Sequence, residues 1–238
     1  AFGWLSNLLP RKSGAGNARH TIAPALGPWH HNGMAQYLFP APVPASLPVT
    51  GRPERFAVGR IFCVGRNYAA HAAEMGSEVD RESPFYFLKS AHAVLESGGV
   101  LAYPPGTHDL HHEIEMVVAI GAPAFRIAVD QAAQVIWGYG AGLDLTRRDL
   151  QARAKAMQRS WDLGKNFEGS AVLSALTAAQ AFQPADQRIH LDVNGVTRQD
   201  SVISDMVWSI PEIISDLSLY YHLAPGVLIM TGTPAGVG

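Results

Sequence analysis

His111-His112-Glu113-Ile114-Glu115-Met116-Val117-Val118-Ala119-Ile120 combines acidic alternation with an apolar run. Val, Ile and Met at this density point to a β-strand, and on a strand alternate side chains share a face. His111, Glu113 and Glu115 would then project together, and the two glutamates could share one cation. Oxygen donors of this kind suit Mg²⁺ or Mn²⁺. The spacing reads equally as the wet face of an amphipathic strand, the commoner meaning of such a pattern. His108, His111 and His112 also raise zinc, but no cysteine or second histidine cluster completes a tetrahedral set, so these histidines read as structural or supporting.

Outward from that strand, Val135 to Leu145 forms a second, glycine-rich apolar segment. Gly138, Gly140 and Gly142 do not fit G-x-G-x-x-G and read as close-packing positions. Asp144 stands alone among apolar neighbours, where an unpaired charge would be costly, which makes it a candidate third carboxylate. Thr146 is expected to begin a helix, with its hydroxyl capping the amide near Asp149 and good helix formers following from Arg148 to Arg159. Upstream, Arg60 to Gly65 reads as a strand and Asn67 to Met75 as a helical turn or two. Within that turn His71 and Glu74 are three apart, so the carboxylate could orient the imidazole as a general base, although surface helices often carry such pairs. Downstream, Ile189, Leu191 and Val193 alternate before Asn194-Gly195, a hairpin signal. Ser209 and Glu212 form a capping-box pattern before Ile210, Ile213, Ile214, Leu217 and Tyr221 at one-face spacing. Strands outnumber helices and no repeat is present, so an α+β fold around a rolled or sandwiched sheet fits best.

Composition bounds the function. The chain has 238 residues, 47% hydrophobic and 16% charged, enough for one main core. A net charge of -2 gives no general reason to bind nucleic acid or an anionic membrane surface. No apolar run approaches bilayer-spanning length. Cys63 is the single cysteine, which rules out an intrachain disulfide and fits a reducing, cytoplasmic setting; it reads as a small buried hydrophobe. No G-x-S-x-G elbow or Walker loop occurs. Residues 1 to 33 read as a leader, an upstream extension or a vector-derived segment, with Met34 a plausible start. Residues 34 to 59, with Pro40, Pro42, Pro44 and Pro48, read as an extended arm outside the central sheet.

Four stretches recur in order as in a known family: Cys63-Val64-Gly65-Arg66-Asn67-Tyr68 with His71 and Glu74; His112-Glu113-Ile114-Glu115; Leu143-Asp144-Leu145-Thr146-Arg147-Arg148-Asp149-Leu150-Gln151; and Thr231-Gly232-Thr233-Pro234. Together they resemble the fumarylacetoacetate hydrolase family from about Met34 to Gly238. The resemblance implies a mixed, mostly antiparallel β-roll with flanking helices, a catalytic domain over residues 60–238, a homodimer, and one or two further strands beyond the last motif. It implies Mg²⁺ or Mn²⁺ on Glu113, Glu115 and Asp144. His71 and Glu74 match a water-activating pair, and Lys165 a lysine facing the reacting oxygen. Arg66, Tyr68, Arg148, Gln151 and Thr233 match substrate-contacting positions. Blander readings put Lys165 in solvent, Arg148 on Asp149 and Thr233 in a turn. The implied substrate is an acylpyruvate-type keto acid, with fumarylpyruvate cleaved to fumarate and pyruvate as the leading case. An acylpyruvase, an oxaloacetate decarboxylase, an isomerase of the same family or a non-catalytic acid-binding protein are the alternatives. Ser90, Glu168 and Ala171-Val172-Leu173 depart from the family pattern and leave substrate choice open.

Overall fold

The computed structural model describes residues 36–76, 78 and 81–238; the expected leader over 1 to 33 lies outside the described residues. In chain order the strands and helices are β1 (Ser46–Val49), β2 (Arg52–Ala57), β3 (Ile61–Gly65), α1 (Ala69–Glu74), β4 (Phe85–Lys89), β5 (Val94–Glu96), β6 (Leu110–His111), β7 (Ile114–Ile120), β8 (Ile136–Asp144), β9 (Thr146–Arg147), α2 (Arg148–Ala156), α3 (Asp162–Lys165), β10 (Ala171–Leu173), β11 (Thr177–Ala178), β12 (Arg188–Val193), β13 (Val196–Val202), α4 (Ile210–Tyr220) and β14 (Leu228–Met230).

The central sheet has eight strands, along the path β4-β3-β14-β7-β8-β10-β5, with β11 also on β8. Only β3 with β14 and β5 with β10 run parallel, so the sheet is mixed and mostly antiparallel. Alternation along β7 gives it two buried faces. Ile114, Met116, Val118 and Ile120 join a cluster with Phe62, Ile229 and the α4 residues Ile213, Ile214 and Leu217. Val117 and Ala119 join a second cluster with Ile61, Cys63, Leu173 and Met230. Cys63 is thus the buried hydrophobe expected, and burial raises its thiol pKa well above the ordinary value. The glycine row of β8 is close-packed as expected: a Cβ at Gly138 would fall 2.3 Å from Thr177 O.

The hairpin at Asn194-Gly195 forms, with φ of 53° and 76° at the two turn residues. At α4, the Ser209 backbone N–H and hydroxyl both donate to Glu212, and the buried face is Ile210, Ile213, Ile214 and Leu217. Tyr221 lies just past that helix, with its ring 4.9 Å from Phe62.

Two expectations need correction. The proline-rich arm does not stay extended to residue 59: residues 46–57 fold back as the β1–β2 hairpin, whose turn uses Gly51 at φ 73°. It remains outside the central sheet but is tied to the chain after β10, since Leu176 N–H donates to Pro48 O. Helix α2 begins at Arg148 rather than Thr146. The Thr146 hydroxyl donates to Asp144 O and its backbone pairs with His111, so β-pairing wins over capping. No helix among the described residues is long and apolar enough to cross a membrane.

Candidate metal centre

The β7–β8 register builds the centre. Ile114 pairs with Leu143 and Glu115 with Gly142; one step outward, Asp144 N–H donates to Glu113 O. Directly opposed residues of an antiparallel pair project to the same face, so Asp144 joins Glu113 and Glu115. All three are buried, and one carboxylate oxygen from each lies within 4.8 Å of the others. The histidines expected to be supporting stay out of this group. His111 Nε2 is 2.9 Å from Asp109, and its Nδ1 accepts from Arg148 Nε at 3.3 Å.

Buried cations surround the carboxylates. Lys165 Nζ donates to Glu113 Oε2 at 2.6 Å and to Asp144 Oδ2 at 2.7 Å, so the solvent-exposed reading of Lys165 fails. Arg148 Nη2 donates to Glu113 Oε1 and Nη1 to Gln151 Oε1 at 2.6 Å; its partner is Glu113, not Asp149. Lys89 Nζ lies 2.8 Å from Asp144 Oδ1. That contact is an ion pair outside hydrogen-bond geometry: Lys89 Nζ donates to the carbonyls of Leu145 and Lys165, and Asp144 Oδ1 has no hydrogen bond among the described residues.

The electrostatics are uneven. Burial pushes the Glu113 carboxyl up, but Lys165 and then Arg148 outweigh it and hold it down to about 2. Burial, followed by repulsion from Asp144 and Glu113, raises Glu115 well above the carboxylate range. Its Oε2 accepts one direct bond, from Gly232 N–H at 2.9 Å. Gly232 sits at φ 98°, and a Cβ there would meet Asn67 Cβ at 2.6 Å, so the Thr-Gly-Thr-Pro turn needs glycine to reach the carboxylate. Asn67 holds the same turn by donating to Thr231 O at 2.7 Å and Trp208 O at 3.0 Å. Three hard oxygen donors within reach of one another, with Glu115 lacking a cationic partner of its own among the described residues, form the kind of set that Mg²⁺ or Mn²⁺ takes, and the residues present fit such an ion.

Beside the carboxylates is a cavity of about 160 Å³, lined also by Arg66, His71, Arg148, Gln151, Lys165 and Thr233. His71 is buried, and its Nδ1 is 3.1 Å from Glu74 Oε2, which leaves Nε2 for the cavity. Glu74 is fixed in turn by Gly236 N–H at 3.1 Å. Tyr68 does not line the cavity; its hydroxyl is buried without a hydrogen-bond partner, and burial together with nearby Glu115 raises its pKa.

Four residues that matter here escaped sequence reasoning. Gln199 takes Ile114 N–H on its Oε1 at 2.8 Å and donates to Thr233 Oγ1 at 2.7 Å, joining the carboxylate strand to the cavity wall. Lys89 was signalled only as a charge ending the apolar run Phe85-Tyr86-Phe87-Leu88. Lys155 and Trp161 line the cavity and carried no motif.

Residues 60–238 match the family model described as fumarylacetoacetate (FAA) hydrolase C-terminal. The chain is 51% identical over 166 residues to a fumarylpyruvate hydrolase of Ralstonia, covering 69% of this chain and 86% of that protein. It is 41% identical over 180 residues to a mitochondrial oxaloacetate tautomerase of Arabidopsis thaliana, covering 75% and 80% respectively. Among solved structures it is similar to the fumarylpyruvate hydrolase of Pseudomonas aeruginosa in complex with Mn²⁺ and pyruvate. That likeness has a TM-score of 0.82 and 47% identity, over 85% of this chain and 89% of that one. With its curled mixed sheet and ordered motifs, this chain belongs to the fumarylacetoacetate hydrolase family.

Proposed function

We propose that this chain is a divalent-metal-dependent hydrolase that splits fumarylpyruvate, or a closely similar acylpyruvate, into the acyl acid and pyruvate. The observation that carries the reading is the buried Glu113, Glu115 and Asp144 group facing the same cavity as a carboxylate-oriented histidine. These three residues would hold Mg²⁺ or Mn²⁺, which would supply Lewis-acid stabilisation of the negative charge that develops on the keto-acid product. His71, held through Nδ1 by Glu74, takes a proton from water at Nε2. The hydroxide adds to the distal carbonyl, and Gln151 and Lys165, both in the cavity wall, stabilise the oxyanion by hydrogen bonds. The bond from that carbon to the pyruvyl methylene then breaks, and the methylene takes up the proton. Arg148 and Gln199 keep Glu113 and Thr233 in place.

The His71–Glu74 pair favours hydrolysis over tautomerisation or decarboxylation, which need no activated water. The same reading carries a cytoplasmic location, use in gentisate breakdown and a homodimer. Exposed Phe85 and Leu88 on the edge strand β4 are surface of the kind a second copy covers. Pyruvate release from a panel of acylpyruvates with Mg²⁺ or Mn²⁺ tests the proposal. Metal-dependent release from fumarylpyruvate is expected, and tautomerisation of oxaloacetate without any acylpyruvate cleavage would overturn it.

A further inference from the structure

The cations at the site divide into two sets. Lys89, Lys165 and Arg148 are committed to Asp144 and Glu113. Arg66 and Lys155 line the same cavity but, among the described residues, neither pairs with a carboxylate. Arg66 is held where it is: its backbone sits at φ 58°, a strained value for a side-chain-bearing residue, and its guanidinium lies 5.9 Å from the Phe85 ring centroid. Phe85 in turn packs on Trp161 at 4.8 Å, and Trp161 is another part of the cavity wall.

Lys155 belongs to α2, on the stripe that begins with Arg148 and Gln151. Arg148 meets the carboxylate centre through Glu113 and donates to Gln151, while Lys155 follows Arg148 by seven residues, about 10 Å of rise along the helix. An extended six-bond carbon chain is shorter than that rise, and its terminal carboxylate oxygens together with the long Lys155 side chain make up the difference. The cavity therefore combines a compact acidic group surrounded by committed cations with two uncommitted cations, Arg66 and Lys155, that share the aromatic wall of Phe85 and Trp161. A neutral acyl group would leave Arg66 and Lys155 with nothing to bind. A diacid gives them a partner.

We propose that Lys155, with Arg66, forms a clamp for the distal carboxylate of the acyl group and makes the site selective for dicarboxylic acylpyruvates. The assignment rests on the acylpyruvate hydrolase reading and deepens it by naming the substrate class and the residue that selects it. Lys155 is exposed at the rim, so its contribution is that of one charge-assisted hydrogen bond partly screened by water, about tenfold in affinity.

The test compares kcat/KM for fumarylpyruvate and acetylpyruvate in the parent, Lys155→Met and Lys155→Arg, with Mn²⁺ present. Lys155→Met is expected to lower the ratio of the two values about tenfold, mainly through KM for fumarylpyruvate, and Lys155→Arg to restore most of it. Equal losses on both substrates, or no loss on either, would overturn the clamp while leaving the hydrolase reading intact. If the parent cleaves neither compound, the hydrolase reading falls and fumarate binding by calorimetry decides the clamp. About tenfold weaker fumarate binding to Lys155→Met supports it, and equal binding, or none to the parent, overturns it.

Discussion

On one face of β7, Ile114, Met116, Val118 and Ile120 share a cluster with Ile213, Ile214 and Leu217 of α4; on the other, Glu113 and Glu115 precede Val117 and Ala119. Each large side chain buried on the first face stabilises the fold by roughly 1.5–3 kcal/mol. The second face runs against stability at its open end, because three buried carboxylates need Lys89, Lys165 and Arg148 to offset their desolvation. A hydrophobic replacement of such a cluster would often be neutral or better for the fold. Its presence therefore marks the place where stability has been traded for chemistry, and the two faces should respond differently to mutation.

The sharpest break in that comparison comes from Glu113→Gln. This change removes a proposed ligand and leaves Lys165 and Arg148 without their shared counter-ion, so kcat/KM should fall about 10³-fold or more, with metal content falling too. Undiminished metal and turnover would remove the functional meaning of the charged face. His71→Ala should lose about 10²- to 10⁴-fold in hydrolysis while keeping its metal, and Glu74→Gln should lose less. Enolisation of a keto acid, which needs no activated water, should survive better in both variants. A His71→Ala enzyme that cleaves acylpyruvates at the parent rate would defeat the water-activation step.

The apolar face predicts the reverse pattern. Leu217→Ala should lower unfolding free energy by about 2–5 kcal/mol in a denaturant titration and leave metal stoichiometry as in the parent. Loss of the metal at full stability would mean that the faces are not separable. The smallest effect belongs to the α4 cap. Burial works to raise the Glu212 carboxyl pKa, but Arg81 and the Ser209 N–H and hydroxyl hold it below the usual range. A carboxyl depressed on folding contributes stability above its unfolded pKa and loses it as pH falls through the folded value. Glu212→Gln should therefore cost about 0.5 kcal/mol at neutral pH, and the two melting curves should converge in acid. Parallel curves at every pH would place the cap's strength elsewhere.

Local signals carried much of this into the sequence. The alternation at Glu113 and Glu115, the lone Asp144 in an apolar run, the Asn194-Gly195 turn and the Ser209 cap each depend on neighbours within a few positions, and each forms as expected. Gln199, Lys89 and Lys155 were not legible, because Gln199 bonds Ile114, 85 residues away, Lys89 bonds Leu145, 56 residues away, and Lys155 lines a cavity wall built from several elements. The start of α2 was misplaced for the same reason: the pairing of Thr146 with His111 is a tertiary contact that overrides a good local cap. Arg148 was expected to grip substrate, and its commitment to Glu113 and Gln151 could be seen only once the helix end had been set against β7.

The most direct test of the two-faced strand is a Mn²⁺ titration of metal-free parent and Asp144→Asn protein, followed by the electron paramagnetic resonance of free Mn²⁺. Asp144 contributes one of the three carboxylates and no part of the α4 cluster. The account predicts one ion per chain in the parent and binding weakened at least about 100-fold in Asp144→Asn, with circular dichroism unchanged. One equivalent of Mn²⁺ bound with parent affinity by the variant would contradict it.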